Sequence, residues 1–194
     1  MDKYIYSQEV RKQLIALVRQ AGRAILDIYK AGEGAAGRQI KEDESPLTAA
    51  DLAAHQILVS GLPHILDVPI ISEEGELPDY AEREHWPRYW LIDPLDGTKE
   101  FIERNGEFTV NIALIEQGAP VLGVVHVPVE DVTYLGSNPR GGVEKIAQKY
   151  AGDSRPEFIK VRPLQVEVQG ALTILTSHRH GSEATTEALG CSVA

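Results

Sequence analysis

The chain has 194 residues, enough for one substantial domain or for one domain and part of another. At 43% hydrophobic and 25% charged it has an ordinary globular composition, with 29 acidic against 19 basic residues and a net charge of −10. A surface this acidic repels phosphate backbones and argues against nucleic acid as a partner.

Met1 to Arg11 mixes Asp2, Lys3, Glu9 and Arg11 with no apolar core, so it does not read as a signal peptide. Across residues 8–30, Val10, Leu14, Leu17, Val18, Ala21, Ala24, Ile25 and Ile28 form a helical stripe, with Ser7 as N-cap and Gly32 and Gly34 past the end. The Gly- and charge-rich segment 32–45 reads as a loop or mobile hairpin. Thr48 is the expected cap of a second helix, with Ala50, Ala53, Ala54, Ile57, Leu58 and Gly61 on one face and Pro63 as its stop.

The period then changes. Val68–Ile71 is a short apolar run leading into Ser72-Glu73-Glu74-Gly75, and the polar stretch 76–88 reads as a loop or a short surface helix. Tyr89–Ile92 predicts a strand that delivers Asp93-Pro-Leu-Asp-Gly-Thr98. Residues 109–115, 121–127 and 132–135 are β-rich runs separated by turn segments, the pattern of an antiparallel meander. Residues 138–142 predict another turn, 143–156 are polar and ambiguous, and 157–162 read as a short strand.

Leu172–Leu175 is a fresh apolar run into Thr176-Ser177-His178-Arg179-His180, followed by a helix-like 183–189. The lone Cys191 has no internal disulfide partner, which suits a reducing cytosol. No run approaches the ~20 apolar residues of a membrane helix. A soluble cytoplasmic protein without an integral membrane segment is expected. Two helices followed by a meander predict an α+β lobe with helices layered against a sheet. A composition shift near 140–156 divides the chain into a first lobe, 1–150, and the beginning of a second, 151–194.

Acidic residues stand at the ends of two apolar runs: Glu73 and Glu74 after Ile71, and Asp93 and Asp96 after Ile92. Strands of one sheet bring such ends to a common edge, so the carboxylates are expected to converge. Pro94 stiffens the turn and Gly97 admits conformations other residues resist. The turn aims Asp93 and Asp96 to one side and exposes the Leu95 carbonyl. Oxygen donors of this kind suit Mg²⁺. Two or three such ions could bridge a phosphate ester and lower the pKa of a water, with Thr98 placed to orient it. The amides of Gly97, Thr98 and Lys99 could take phosphate oxygens if a helix starts there. Metal ions would also reconcile an acidic surface with an anionic substrate. One Asp-Gly pair is ordinarily a turn and one Glu-Glu pair ordinarily solvated surface. Their recurrence at strand ends is what favours a metal site. A calcium loop of the EF-hand kind needs oxygen donors at alternate positions, and Pro94 and Leu95 break that spacing.

Asp93-Pro-Leu-Asp-Gly-Thr98 resembles the signature of the inositol-monophosphatase superfamily of Mg²⁺-dependent, lithium-inhibited phosphatases. Ser45-Pro-Leu-Thr-Ala-Ala-Asp51 and Ile71-Ser-Glu-Glu-Gly75 resemble the family's two upstream elements, in the family's order, and the resemblance covers about residues 1–140. It implies the layered α/β sandwich of these sugar phosphatases. Thr98-Lys-Glu-Phe101 is similar to the branch that removes the 3′-phosphate of 3′-phosphoadenosine 5′-phosphate, and Ser177-His-Arg179 resembles that branch's Ser-His element near the nucleotide. A surface turn is the alternative for His178 and His180.

Position by position, the resemblance implies that Glu73, Asp93 and the Leu95 carbonyl hold a first Mg²⁺, that Asp93 and Asp96 hold a second, and that Glu73 shares a third. Thr98, with Asp51 or Glu73, would polarise the attacking water, and no covalent phosphoenzyme is implied. Glu73, Leu95, Asp96, Gly97, Thr98, Ser177 and His178 would line the substrate, with Glu74 turned to solvent or supporting. AMP and phosphate are the implied products, and sulfur assimilation the implied setting. An inositol-monophosphatase-like or sugar phosphatase is the alternative substrate class.

The family also carries a later Trp-Asp element that completes the second metal site. This chain has tryptophan only at 86 and 90. A truncated chain is therefore expected, with an exposed apolar edge that another chain, such as a second copy in a homodimer, could cover. A non-catalytic metal- or nucleotide-binding protein is the reading of a different class. A peripheral position at the inner membrane is an alternative to a freely cytoplasmic one.

Overall fold

The computed structural model describes residues 3–34, 46–138 and 146–159. A short 3₁₀ turn, Lys3–Tyr6, leads into α1 (Gln8–Gly34), which is followed by α2 (Pro46–Ile65), β1 (Ile70–Ser72), α3 (Tyr80–Arg83), β2 (Arg88–Asp96) and α4 (Thr98–Ile102). Five further strands complete the order: β3 (Thr109–Glu116), β4 (Ala119–Val127), β5 (Val132–Ser137), β6 (Ile146–Ala151) and β7 (Glu157–Phe158). The seven strands among the described residues lie in one sheet in sequence order. β1 runs parallel to β2, and every later neighbour pairs antiparallel, so the expected meander is present and extends through β7.

Periodicity explains which surfaces are buried. In α1, Val10, Leu14, Leu17, Val18, Ala21 and Ile25 recur every three or four residues and are buried. In α2, Ala50, Ala54, Leu58 and Leu62 fall every four and are fully buried. The small stripe lets the helices approach closely. A Cβ added at Gly61 would stand 2.3 Å from a Leu17 methyl. Against them the sheet sets Trp90 and Ile92, Val110, Ile112 and Leu114, and Leu122 and Val124, one face of alternating strands. The opposite face leaves Leu91, Val125 and Tyr134 exposed.

Several boundaries differ from expectation. Gly32 and Gly34 lie within α1 rather than past it, because glycine accepts helical dihedrals as readily as it ends a helix. α2 opens at Pro46, not after a Thr48 cap; proline's fixed φ and missing N–H suit a first turn. Pro63 does not stop α2, which continues to Ile65, since the lost hydrogen bond falls in the last turn. Residues 143–156, ambiguous in the sequence, include β6.

The chain divides into two compact units, Met1–Val161 and Arg162–Ala194. The expected lobe boundary at 150 falls at the end of β6, and the sheet continues through β7. Leu172–Leu175, the 183–189 segment and Cys191 lie outside the described residues.

Candidate active site

The acidic motif was expected as a tight turn after a strand ending at Ile92. Instead β2 runs on to Asp96. Its register against β3 explains how the carboxylates come together. Asp93 pairs with Asn111 and Asp96 with Thr109, so three steps on β2 face two on β3. In a regular strand, residues three apart point to opposite faces. The bulge adds one residue and returns Asp96 to the face of Asp93. Burial records the same change: Trp90, Ile92 and Pro94 are buried in alternation, and Leu95 is then buried directly after Pro94.

Gly97 follows with φ of +101°, and a Cβ there would lie 2.9 Å from the Glu107 carbonyl oxygen. Only glycine fits that corner. α4 begins at the next residue, Thr98, whose side chain is exposed. Phe101 anchors α4 in an aromatic group, its ring 5.2 Å from Tyr29 and 5.4 Å from Phe108.

Glu73 arrives by parallel pairing. Ser72 of β1 is in register with Ile92 of β2, and the Glu73 amide donates to the Ile92 carbonyl at 3.2 Å. The residues that follow, Glu73 just past β1 and Asp93 within β2, are thereby neighbours. Asp51 comes from the first turns of α2, where its carboxylate meets Glu74. Five carboxylates, Asp51, Glu73, Glu74, Asp93 and Asp96, thus belong to one electrostatic group.

Their mutual repulsion is legible in proton affinity. Burial first, then Glu74, Asp93 and Glu73, push Asp51 up to about 7. Burial, then Glu73 and Asp96, push Asp93 up to about 7, with the Leu95 backbone acting in the opposite direction. Asp51 Oδ1 is buried and has no hydrogen-bond partner. Asp96 is exposed and accepts from Asn111 Nδ2 at 3.1 Å, while Asn111 Oδ1 accepts from Thr109 Oγ1 at 3.1 Å.

Among the described residues no three His, Cys, Asp or Glu side chains stand in a ready-made metal-holding group. The carboxylates meet instead in pairs, Asp51 with Glu74 and Asp93 with Glu73. The donor set nevertheless fits a hard divalent cation: all oxygen, clustered like charge and one orphaned buried oxygen. Glu73, Asp93 and Asn111 also face a cleft of about 650 Å³ whose remaining walls include Leu77, Leu91 and Val125.

The structure therefore brings together Asp51, Glu73, Asp93 and Asp96, with Leu95, Gly97 and Thr98 adjoining them in the chain. Glu74, expected as solvent-facing or supporting, is exposed and reaches Asp51. Ser177, His178 and His180 lie outside the described residues. Sequence reasoning missed Asn111, whose signal was a lone amide inside the apolar run 109–115. It also missed His55, one helical turn after Asp51, whose Nδ1 lies 2.8 Å from Ser72 Oγ.

A family model described as the inositol monophosphatase family matches residues 7–190. The chain belongs to that family. It is 49% identical over 156 residues to the 3′(2′),5′-bisphosphate nucleotidase CysQ of Salmonella typhimurium, covering 77% of this chain and 62% of that protein. CysQ of Escherichia coli K12 is 47% identical over 155 residues, covering 77% and 61%. Among solved structures, CysQ from Bacteroides thetaiotaomicron superposes with a TM-score of 0.63 at 44% identity, covering 76% of this chain and 51% of that one. The fold is thus that of inositol-monophosphatase-type structures. The chain spans about three-fifths of the length of the curated relatives it matches. No helix among the described residues is long and apolar enough to cross a membrane.

Proposed function

We propose that the carboxylate group on β1, β2 and α2 serves a Mg²⁺-dependent phosphomonoesterase that removes the 3′-phosphate of 3′-phosphoadenosine 5′-phosphate. The observation that carries the reading is the convergence of Asp51, Glu73, Asp93 and Asp96, with Asp51 and Asp93 pushed up to about 7 by their neighbours. Clustered carboxylates that destabilise one another in the free protein are poised for cations. The likeness to CysQ favours the nucleotide over inositol phosphates and other sugar phosphates as substrate class.

Glu73, Asp93, Asp96 and the Leu95 carbonyl would hold two or three Mg²⁺. When bound, these ions lower the pKa of a water and neutralise phosphate charge. The chain's own residues do the rest. Thr98, at the start of the anchored α4, orients the water, and Asp51 or Glu73 accepts its proton. Water attacks phosphorus in line as the bond to the 3′-oxygen breaks, and that oxygen takes up a proton from solvent, giving AMP and phosphate without a covalent phosphoenzyme. Gly97 and Thr98 flank the departing phosphate, and Ser177 and His178 are proposed as substrate-binding residues on the family resemblance of Ser177-His-Arg179 alone.

The same reading proposes lithium sensitivity, a role in clearing a by-product of sulfate activation, and a cytoplasmic, homodimeric enzyme. Phosphate release from adenosine 3′,5′-bisphosphate and from inositol 1-phosphate, with and without Mg²⁺, tests it. Mg²⁺-dependent release favouring the nucleotide is expected. Faster release from inositol phosphate would overturn the substrate assignment, and Mg²⁺ binding without release from either would favour a binding role.

A further inference from the structure

Five carboxylates crowd together, and two of them, Glu73 and Glu74, sit on an exposed turn, meeting Asp93 and Asp51 respectively. Something must hold that turn beside Asp51 and Asp93. On the sheet side, the Glu73 amide donates to the Ile92 carbonyl at 3.2 Å, and the Gly75 amide closes the turn on the Ser72 carbonyl at 3.1 Å. On the helix side the described tie is a side-chain one, between His55 Nδ1 of α2 and Ser72 Oγ at 2.8 Å. Either group can donate, according to the imidazole tautomer.

Placement makes this bond more than local packing. His55 lies four residues after Asp51, so both project from one face of α2. That face gives the turn two adjacent attachments: Asp51 to Glu74 and the imidazole to Ser72. The ring also lies under the turn itself, since a Cβ at Gly75 would be 3.8 Å from the His55 Cε1 carbon.

We infer that His55 is a positioning residue, which through Ser72 Oγ keeps the Glu73–Gly75 turn against α2 and so holds Glu73 and Glu74 beside Asp93 and Asp51. The inference rests on the phosphatase reading of those carboxylates. A purely structural His55 would affect unfolding alone. A positioning His55 sets the metal affinity of the folded protein.

The test is Mn²⁺ titration of the whole chain by electron paramagnetic resonance, with thermal unfolding measured in parallel. His55→Ala and Ser72→Ala should each weaken Mn²⁺ binding about tenfold, as loss of supporting hydrogen bonds to ligands commonly does. The double variant should lose no more than either single one. His55→Asn, whose amide falls near the imidazole Nδ1, should restore most of the affinity. Wild-type affinity in Ser72→Ala, a change that removes a single oxygen, would overturn the inference. So would additive losses in the double variant. Absence of Mn²⁺ binding by the wild-type chain would overturn the carboxylate site itself and the role of His55 with it.

Discussion

Replacing Asp93 by Asn should stabilise the metal-free protein. The side chain is half-buried beside Glu73 and Asp96, and its pKa rises from 3.8 to about 7. Taken at face value, that displacement corresponds to about 4 kcal/mol at ~1.4 kcal/mol per pH unit. The group is partly solvated, and screening reduces such values, so a gain of about 1–2 kcal/mol is expected. Asn keeps the shape and an oxygen for the Leu95 amide while removing the charge. The sign follows from linkage. A carboxyl whose folded pKa is raised is tolerated below the unfolded value and becomes costly as pH rises through the folded one. The advantage of Asp93→Asn should therefore be absent near pH 4, grow toward pH 7 and level off above it. At about 2–4 °C per kcal/mol for a chain of this size, Tm should rise by a few degrees at pH 8 in chelator. Mg²⁺ should invert the order. A cation that binds only the folded state adds about 2.7 kcal/mol at a hundredfold excess over Kd, and the variant should lose most of that gain together with the proposed phosphatase activity. Urea and thermal unfolding in EDTA and in Mg²⁺, across pH, provide the assay. An Asn variant less stable than wild type in EDTA at pH 8, or a gap that ignores pH, would refute the reasoning.

His126 should make the protein acid-sensitive. The ring is 2% exposed, bonded through Nδ1 to Thr133 Oγ1 at 2.9 Å, and burial depresses it to about 4 against the pull of Asp131 and with the push of Arg19 and Arg23. The unfolded chain takes the proton below 6.5 and the folded one does not, so stability is intact above 6.5 and lost toward 4. Relative to His126→Asn, wild type should lose about 2 kcal/mol between pH 7.5 and 5 in urea unfolding, and a constant difference would contradict this. Gly97→Ala should cost at least 1–3 kcal/mol, because φ of +101° is strained for alanine and the new methyl would meet the Glu107 carbonyl at 2.9 Å. Unchanged urea unfolding would show that the corner relaxes freely.

Much of this fold was legible because its signals are periodic. The α1 stripe, the small face of α2 and the β-rich runs of β3 to β5 each announce one buried surface. What failed were ends and polar segments. Pro46, Pro63, Gly32 and Gly34 have roles set by where the helix falls on them, which a single residue type cannot state. β6 was hidden because it carries Gln148 and Lys149 within the pairing run, and its place in the sheet comes from β5 rather than from its own hydrophobicity. The site divides similarly. Glu73, Glu74, Asp93 and Asp96 were visible as acidic residues after apolar runs, whereas Asp51 entered only through the family resemblance. Asn111 and His55 were not singled out, since their function is defined by cross-strand and helix–turn partners distant in sequence.

The bulge in β2 shows why the spacing alone was ambiguous. Two aspartates three residues apart can share a side by a tight turn or by an irregular strand, and the sequence Asp-Pro-Leu-Asp is compatible with both. The strand solution has a consequence the turn lacks. It keeps Asp93 and Asp96 tied to β3, with Asn111 and Thr109 as their pairing partners, so the carboxylates are supported by a sheet rather than by a free loop. Proline is tolerated there because a bulge leaves one ladder position unpaired. Gly97 then turns the chain sharply out of the sheet into α4, whose Phe101 is held between Tyr29 and Phe108. Lys99-Glu100-Phe101, the triplet that pointed to the nucleotidase branch, therefore has a packing role in at least its last member. Phe101 fixes the helix that begins with Thr98, and substrate choice has to be argued from residues that face the cleft.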